Sequence, residues 1–368
     1  MLKEDCCVLE FDRVSCQFGT NVVVKSVSFS LERGQVLSLL GPSGCGKTTI
    51  LRMASGLERA HSGKIIYRGQ TVDSSTDKLF VPPNRRDMGM VFQSYGIWPH
   101  MTVFENVAFP LRTRRESNDI ITRKVEDILR QVGLANFGDR RATQLSGGQQ
   151  QRVAVARGLV ANPGVLLMDE PFSNLDVKLR NQLRAELKTL QLRLGLSILF
   201  VTHDQSEALS LSDQVAVIQN GEIEQIGSPQ EVYLDPKTPF VRDFVGDSLK
   251  FEVSVEGYGA NNLVFRLANG TLLRSTGKQR VGPEIITCVA SIRPEEVEFL
   301  GAAEPRDENV IEVVIETLLF QGAEYEAVLS IAGGDNFIMK LPREGGWAQN
   351  QTLRLRLPPE KLHLWAAQ

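Results

Sequence analysis

The feature that most limits how this chain can fold is an apolar run that leads directly into a glycine-rich loop. Val36 to Leu40 is a short run that is apolar except for Ser38. Gly41-Pro42-Ser43-Gly44-Cys45-Gly46-Lys47-Thr48 and a helical segment follow it. Such a run is typical of a strand in a parallel sheet, buried on both faces. In this context the pattern G-x-x-x-x-G-K-[ST] predicts a phosphate-binding loop. The alternative is a glycine-rich turn that carries a solvated lysine.

A phosphate would use this loop in a defined way. The glycines allow successive backbone N–H groups and the helix N-terminus to face negative charge. Lys47 would reach the β- and γ-phosphates of a nucleotide, and the Thr48 hydroxyl would hold Mg²⁺. The expected ligands are therefore a nucleoside triphosphate and Mg²⁺.

A second apolar strand ends in two carboxylates. Val165 to Met168 precedes Asp169 and Glu170. Because adjacent residues on a strand point in opposite directions, one carboxylate can face Mg²⁺ while the other faces a water molecule. We assign Asp169 to the outer ligand sphere of the metal, and Glu170 to acting as general base or positioning the attacking water. The alternative is an acidic strand end that only turns the chain.

The hydrophobic patterns along the first 237 residues predict alternating strands and helices. An Asn220-Gly221 pair between two apolar segments is a strong hairpin signal. The predicted elements are an antiparallel sheet from Val8 to Glu32, helices from Asp119 to Val132 and from Gln149 to Val160, strands from Val165 to Met168 and from Ile198 to Val201 around a helix with leucines at 179, 183, 187, 190 and 194, and a hairpin from Gln214 to Ile226.

A change of pattern marks a second domain. After Asp235-Pro236-Lys237-Thr238-Pro239 the chain becomes rich in turns, and period-2 alternation recurs from Phe251 onward. We predict a first domain over residues 1–237, a linker over 238–250 and a β-rich domain over 251–368. Two domains suit 368 residues, because single cores stop growing at roughly 250–300 residues.

Composition excludes several classes of protein. A net charge of −3 gives no basic footprint, so nucleic acid is not an expected partner. The five cysteines are odd in number and scattered, which argues against disulfides and structural zinc. No stretch approaches the ~20 apolar residues that span a bilayer, and the N-terminus lacks the apolar region of a signal peptide. Any role at a membrane must therefore depend on a partner chain.

A third motif brings in a family resemblance. Leu145-Ser146-Gly147-Gly148-Gln149 precedes a helix and, alone, could be an N-cap serine with flexible glycines. Together with GPSGCGKTT and LLMDEP, however, LSGGQQQRVAVAR resembles the signature loop and helix of ATP-binding-cassette (ABC) ATPases. The resemblance implies an α/β P-loop NTPase fold: a RecA-like core with an antiparallel β subdomain and a helical insert at about residues 94–160. It also implies ATP as the nucleotide, and a site that includes Thr49.

Three single residues match positions of that family. Phe18 matches the aromatic residue on which adenine stacks, although packing on an edge sheet would equally explain it. Gln93, in Met90-Val91-Phe92-Gln93-Ser94, matches the glutamine that touches Mg²⁺ and the attacking water. His203 matches the switch histidine at the γ-phosphate; otherwise it would be a partly buried residue at a helix start. With Glu170, Gln93 and His203 are the catalytic candidates.

The resemblance also implies a dimer. In the family, the residues matched by Ser146, Gly147, Gly148 and Gln149 close on ATP held by a second copy or a homologous ATPase, so that two ATP molecules lie at a two-fold interface. Ser173-Asn174-Leu175-Asp176 resembles the loop that crosses to the partner, with Asn174 where the family often has alanine. ATP would then favour the closed dimer, and hydrolysis would remove that preference.

Two further segments resemble importers within this family. Gly96 to Val107 resembles the segment that docks a coupling helix of the membrane subunit, with Trp98, Pro99 and Met101 as exposed contacts; the alternative is a Trp98 buried in the core of the insert. The β-rich tail, with Ile292-Arg293-Pro294-Glu295-Glu296, resembles the transport-associated oligonucleotide-binding-like (TOBE) domain. We interpret it as a regulatory domain that stabilises the dimer.

The function implied is the ATP-hydrolysing subunit of an ABC importer, peripheral on the cytoplasmic face of the inner membrane. Its expected partners are two membrane permease subunits and a periplasmic or lipid-anchored solute-binding protein. The stretch from Asn106 to Leu111 favours ferric iron, a polyamine or a phosphonate as the solute, with a sugar as the alternative. A soluble ABC ATPase or an exporter half-subunit is disfavoured, because the chain shows no coiled-coil insertion or tandem cassette and ends in a β domain.

Overall fold

The structure is a computed structural model and describes residues 6–258, 262–280, 287–301, 308–331, 334 and 336–366. The chain divides into two compact units, residues 1–241 and 242–368. The helices are α1 (Lys47–Ser55), α2 (Val103–Thr113), α3 (Asn118–Gln131), α4 (Gly147–Leu159), α5 (Val177–Leu194), α6 (Gln205–Leu211), α7 (Pro229–Leu234) and α8 (Pro239–Phe244). No helix of the described residues is long and apolar enough to cross a bilayer.

The first unit contains two sheets. Its strands are β1 (Cys7–Phe18), β2 (Asn21–Glu32), β3 (Val36–Leu40), β4 (Ser62–Tyr67), β5 (Gln70–Ser74), β6 (Leu79–Phe80), β7 (Met88–Val91), β8 (Val165–Asp169), β9 (Ile198–Thr202), β10 (Gln214–Gln219) and β11 (Glu222–Gly227). An antiparallel sheet has the order β2-β1-β4-β5-β6, and a second sheet has the order β11-β10-β3-β9-β8-β7. In the second sheet the strands pair in parallel except for β11, which forms the predicted hairpin with β10.

The parallel sheet brings its strand ends together at one edge. In the registers of β3, β9 and β8, Leu40 lies opposite Thr202, and Asp169 lies opposite Val201. On the other side of β8, Val91 pairs with Met168. Loops that follow parallel strands therefore meet at this carboxyl edge, which is where open α/β sheets bind ligands.

Both faces of the parallel sheet are covered, which explains its continuous apolar strands. Leu166 and Met168 of β8 pack into a core with α2 to α5, whereas Val165 and Leu167 pack into a second core with α1 and the antiparallel sheet. The alternation follows from the two-residue period of a strand. A strand buried on both faces needs apolar residues at every position, and each such burial contributes roughly 1.5–3 kcal/mol.

The helical insert contains one helix that the sequence analysis did not predict. The predicted helices correspond to α3 and α4, but along the chain a further helix, α2, lies between β7 and α3. Thr102 caps α2: its side chain accepts a hydrogen bond from the Glu105 N–H, and the Glu105 carboxylate accepts one from the Thr102 N–H. This T-x-x-E capping box before an apolar run was the signal that could have revealed the helix.

Residues 238–250, which the sequence analysis predicts as a linker, contain regular secondary structure. They contain α8 and the start of a strand at Leu249. The helix begins at Pro239 because proline is favourable at the first helical position, and because Thr238 Oγ1 accepts a hydrogen bond from the Val241 N–H (3.3 Å). The Thr238-Pro239 pair is therefore a helix start, which the sequence analysis did not predict.

The second unit is built from β-strands. These are β12 (Leu249–Tyr258), β13 (Leu263–Leu267), β14 (Leu272–Ser275), β15 (Gln279–Arg280), β16 (Thr287–Ile292), β17 (Glu298–Leu300), β18 (Val310–Phe320), β19 (Glu324–Ile331), β20 (Asn336–Pro342), β21 (Thr352–Arg356) and β22 (His363–Ala366). They form sheets of order β14-β13-β12-β16-β22-β15 and β17-β21-β18-β19-β20 around one apolar core. This confirms the predicted α/β domain followed by an all-β domain.

Candidate active site

The predicted phosphate loop connects β3 to α1 and is closely packed at its first glycine. At Gly41 a Cβ atom would lie 2.3 Å from the Ile218 carbonyl oxygen, so only glycine fits. Gly46 has a φ of 105°, a left-handed conformation that favours glycine. Lys47 is 4% exposed, and its Nζ donates hydrogen bonds to the Gly41 and Pro42 carbonyl oxygens, both at 2.8 Å. These bonds hold the ammonium group over the loop.

The N-terminus of α1 carries no side-chain cap among the described residues. Its N-cap is Gly46, which has no side chain that could accept a hydrogen bond from the first-turn N–H groups. The first four N–H groups of a helix have no partner within the helix, and the helix dipole is positive at this end. This helix end is consequently suited to an anion such as a nucleotide phosphate.

Thr48 and Asp169 meet at the carboxyl edge of the sheet. The Thr48 hydroxyl donates a hydrogen bond to Asp169 Oδ1 at 3.0 Å, which joins the first turn of α1 to the end of β8. Burial raises the pKa of the Asp169 carboxyl above its usual value, although the bond from Thr48 opposes the shift. The pair presents a hydroxyl and a carboxylate, both oxygen ligands of the kind that Mg²⁺ prefers.

Glu170 contacts two of the predicted catalytic residues. Its Oε2 accepts a hydrogen bond from Gln93 Nε2 at 3.2 Å, and its Oε1 lies 3.0 Å from His203 Nδ1. These residues follow β8, β7 and β9, so the parallel sheet itself brings them together. The imidazole is 53% exposed and the Glu170 side chain 18% exposed, which leaves the group open to a ligand.

The two carboxylates diverge for a different reason than strand alternation. β8 ends at Asp169, and Glu170 lies beyond it with a φ of 41°. A non-glycine residue in this left-handed region costs of the order of 1 kcal/mol or more and commonly marks a functional site. The backbone turn directs Glu170 toward Gln93 and His203 while Asp169 faces Thr48.

The predicted crossing loop is tied to this group. Ser173 Oγ donates a hydrogen bond to the Glu170 carbonyl oxygen (3.0 Å), and Asn174 Nδ2 donates one to the Gln93 carbonyl oxygen (3.2 Å). Asp176 caps α5 by accepting a hydrogen bond from the Leu179 N–H (2.9 Å). Asn174, the departure from the resembled family, therefore has a structural contact that alanine could not make.

The signature segment starts α4, two residues before the predicted start. Ser146 is the N-cap, and its bonds with Gln149 form a capping box. Ser146 and Gly147 are exposed, whereas Gly148 is buried against Leu179 of α5, where a Cβ atom would approach to 3.1 Å. The segment thus presents a serine and a glycine to solvent on a tightly packed base.

The remaining predicted residues occupy separate positions. Phe18 lies at the end of β1, paired with Asn21 of β2, and is 49% exposed. Thr49 follows Thr48 in the first turn of α1 and is half-buried. Trp98 is neither exposed nor in the core: it packs on Phe109 with ring centroids 4.5 Å apart, and Arg157 lies 4.8 Å from its ring centroid.

The sequence analysis missed charged residues that adjoin His203. Arg180 of α5 lies 3.1 Å from Asp204 Oδ2 and 3.9 Å from Glu207 Oε1. Burial raises the pKa of Glu207, against a hydrogen bond from Thr202. Asp204 and Glu207 could have been found from the helix start that follows Thr202, but Arg180 lies 24 residues before Asp204, and no local pattern predicts the pairing.

This fold and site define a nucleotide-binding ATPase of the P-loop class, and comparisons with known proteins place it further. The ABC transporter family model matches residues 24–173, and the TOBE domain model matches residues 290–365. The chain is 40% identical over 339 residues to the spermidine/putrescine import ATP-binding protein PotA of Trichodesmium erythraeum, covering 91% of this chain and 87% of the relative. It is 38% identical over 357 residues to the PotA of Acetivibrio thermocellus, covering 97% and 96%.

A solved structure agrees with these sequence relatives. That of cbiO1 from Clostridium perfringens, part of the ABC transporter complex cbiONQ, matches with a TM-score of 0.56 and 28% identity, over 62% of this chain and 90% of that chain. The chain therefore belongs to the ABC transporter family, in which it is an importer ATPase that ends in a TOBE domain.

Proposed function

We propose that the ATPase reaction takes place at the carboxyl edge of the parallel sheet, with Glu170 as general base. The observation that carries this proposal is the contact of the Glu170 carboxylate with both Gln93 and His203. Glu170 takes the proton of the attacking water, Gln93 orients that water, and His203 contacts the γ-phosphate. Phosphoryl transfer depends on such positioning and on electrostatic stabilisation more than on covalent help from the protein.

ATP binds along the loop of residues 41–49 with its phosphates at the N-terminus of α1. Lys47 is already held over the loop by two carbonyl oxygens, so its charge meets the β- and γ-phosphates with little loss of side-chain entropy. The uncapped helix end supplies N–H donors. Phe18, half exposed at the end of β1, offers its ring face to adenine.

Thr48, Asp169 and Gln93 would hold Mg²⁺. The hydroxyl and carboxylate oxygens of the first two lie 3.0 Å apart, and these are hard ligands suited to this ion. Because Mg²⁺ usually keeps waters and substrate phosphates as ligands, one or two protein oxygens suffice. When bound, the ion neutralises charge on the phosphates.

Two copies of the chain, or one copy and a homologous ATPase, enclose two ATP molecules. Exposed Ser146 and Gly147, with Gly148 and Gln149 behind them, face the nucleotide of the partner, and Asp176 lies in the loop that crosses to it. The support for this step is the exposure of the segment at a helix N-terminus, where an anion is favourable.

The membrane subunits dock in a groove beside the helical insert. A cavity of about 230 Å³ lies between β7, α2 and α4, and its apolar wall includes Phe92, Trp98 and Phe109. Phe92 and Phe109 are 40% and 41% exposed, and Phe109 packs on Trp98, so the apolar wall of this groove suits a helix laid into it. The occupant of this groove is a coupling helix of a permease subunit, and the transporter has two such subunits. The chain is therefore peripheral on the cytoplasmic face of the inner membrane.

The transported solute is a polyamine. Two relatives that cover 91% and 97% of this chain are spermidine/putrescine import proteins, and they match both of its units. This narrows the set of ferric iron, polyamine and phosphonate that the sequence favours. A periplasmic or lipid-anchored solute-binding protein delivers the polyamine to the permease.

Uptake by cells tests this proposal. The gene is deleted, then restored as the parent or as Lys47→Ala, and uptake of labelled spermidine and putrescine is compared with that of maltose and ferric iron. Deletion and Lys47→Ala should abolish energy-dependent polyamine uptake while maltose and iron uptake continue. If one of the control solutes fails to enter instead, the polyamine assignment is wrong and the importer ATPase stands.

A further inference from the structure

The charged cluster behind His203 connects it to the crossing loop. Arg180 lies in the first turn of α5, directly after that loop, and its Nη2 donates a hydrogen bond to the Leu175 carbonyl oxygen at 3.2 Å. On its other side, Nη1 donates one to Asp204 Oδ2 at 3.1 Å. One guanidinium group thus bonds the loop before α5 and the first residue after His203.

The segment that carries His203 is organised by the two carboxylates that Arg180 faces. Asp204 is the N-cap of α6, and its side chain accepts a hydrogen bond from the Glu207 N–H. The Thr202 hydroxyl, on the other side of His203, accepts a hydrogen bond from the Asp204 N–H (2.9 Å) and donates one to Glu207 Oε2 (2.6 Å). The histidine is therefore held by a closed set of bonds whose members are Thr202, Asp204 and Glu207.

Burial makes the charge of Arg180 important to this set. The Glu207 side chain is 4% exposed, and those of Arg180 and Asp204 are 25% exposed. Within the described residues, Arg180 forms the only lysine or arginine ion pairs of these two carboxylates. A buried carboxylate that loses its cation is destabilised by more than an exposed one would be, so the segment would rearrange. Together with Glu170 and His203, Arg180 lines a small cavity of about 30 Å³.

We propose that Arg180 is a positioning residue that couples the crossing loop, residues 173–176, to His203 and through it to Glu170. The loop is in contact with a partner subunit only in the closed dimer, so a shift of the Leu175 carbonyl there reaches Asp204 and Glu207 through one side chain. The inference rests on the proposed roles of His203 and Glu170. It adds a residue that acts before hydrolysis and does not touch ATP.

The test compares four variants of the full chain: Arg180→Gln, Arg180→Lys, Arg184→Gln and Glu170→Gln. Arg184 is the matched control, because it lies one turn further along α5 and contacts neither carboxylate nor the loop directly. It donates a hydrogen bond to Ser206 Oγ (2.9 Å), and only that hydroxyl bonds Asp204 (2.6 Å). Steady-state hydrolysis gives kcat and KM, and equilibrium titration gives the Kd for ATP. Thermal unfolding monitors the fold.

Arg180→Gln should lower kcat about tenfold or more while KM and Kd for ATP stay within about twofold, which identifies a loss in the step after binding. Arg180→Lys should recover part of kcat, since it keeps the charge but not the forked geometry. Arg184→Gln should hydrolyse ATP within about twofold of the parent.

Three results would overturn the inference. These are a kcat for Arg180→Gln within about twofold of the parent, an equal loss in Arg184→Gln, or a proportional loss of ATP affinity. Adding Asp204→Asn supplies a second measurement: it should lower the kcat of Arg180→Gln by much less than it lowers that of the parent, and additive losses count against coupling. If Glu170→Gln keeps the parent rate, it is the proposed catalytic role that fails.

Discussion

Two glycine-containing loops of this protein start helices and both face solvent, yet they leave their helix ends in opposite conditions. The loop before α1 ends in Gly46, so no side chain of the described residues caps that helix. The signature segment starts α4 with Ser146, whose capping box with Gln149 satisfies N–H and side-chain groups within the same chain. The end of α1 thus has no side-chain cap, whereas at the end of α4 a side chain of the same chain already bonds the Gln149 N–H.

In the proposed dimer this difference would have a function: one subunit binds the nucleotide, and a second subunit is required to use it. An uncapped end gains hydrogen bonds whenever a phosphate arrives, and Lys47 adds a charge that is already in position. A capped helix end gains fewer hydrogen bonds from a phosphate. It therefore binds a phosphate tightly only where a second surface binds the same phosphate. The signature segment is therefore suited to recognise a nucleotide that a second copy already holds, and the following variants test this division from the largest expected effect to the smallest.

Glu170→Gln should have the largest effect on hydrolysis. It should also trap the closed dimer, in which the loop before α1 of one copy faces the signature segment of the other. The carboxamide keeps the shape but cannot accept the proton of the attacking water, so hydrolysis should fall by about 10²- to 10⁴-fold. ATP affinity should stay near that of the parent, and a closed dimer should accumulate with ATP and Mg²⁺ in sedimentation measurements. Chelation of the metal is the control, and a variant that hydrolyses at the parent rate would contradict the role of Glu170.

Lys47→Ala should weaken ATP binding at the loop before α1. A hydrogen bond to a charged group contributes about 1.5–3 kcal/mol, so the Kd for ATP should rise by roughly 10- to 100-fold. Lys124→Ala, in an exposed ion pair with Glu116, is the control and should leave the titration unchanged. An unaltered Kd for Lys47→Ala would mean that the loop does not hold the phosphates.

Ser146→Ala tests the signature segment alone, because it leaves the loop before α1 intact. The lost cap should lower the free energy of unfolding by about 0.5–2 kcal/mol. ATP should still bind an isolated chain normally, while hydrolysis by the assembled transporter falls by about tenfold, the effect of one lost hydrogen bond of roughly 1.4 kcal/mol.

Ser228→Ala is the matched control for that variant, because Ser228 forms the same capping box with Glu231 at the start of α7. Both variants should lose similar stability, but only Ser146→Ala should lose hydrolysis. Equal losses of hydrolysis would show that the Ser146 hydroxyl acts only as a helix cap.

The sequence predicts the first loop well because its chemistry is local. Strand, glycines, lysine and helix are consecutive, and the structure places each of them as the pattern indicates. The order of the parallel sheet then determines that Glu170, Gln93 and His203 meet, since each follows a strand that ends at the same edge. No residue spacing shows this meeting directly, and without the family resemblance Gln93 would have had no signal.

What the sequence analysis did not predict depends on contacts between distant segments or on helix starts marked only by a threonine cap. Helices α2 and α8 start after Thr102 and Thr238, and neither helix was predicted. Arg180 finds Asp204 only through the packing of α5 against α6. Glu170 reaches His203 because its backbone is left-handed, a conformation that residue type alone does not predict.

The smallest effect concerns stability, and it contrasts a carboxylate of the site with one of the other unit. Burial raises the pKa of Asp169, so the folded state binds the proton more tightly than the unfolded state, whose pKa is near 3.8. Asp169→Asn should therefore stabilise the nucleotide-free protein at neutral pH. The gain should shrink as pH falls below the folded pKa and vanish below the unfolded pKa of about 3.8.

Asp243, in the other unit, has the opposite shift. Burial alone would raise the pKa of Asp243, but its bonds and ion pairs with Arg242 and Lys250 lower it. Asp243→Asn should destabilise its unit above a pH of about 3.8, and that loss should vanish as pH falls through the lowered pKa. Urea unfolding between neutral and acid pH, followed for each unit, gives the difference in free energy of unfolding between each variant and the parent as a function of pH. If this difference has the same pH slope for both variants, burial does not destabilise the charged Asp169 carboxylate, and the carboxylate is not positioned for a metal ion.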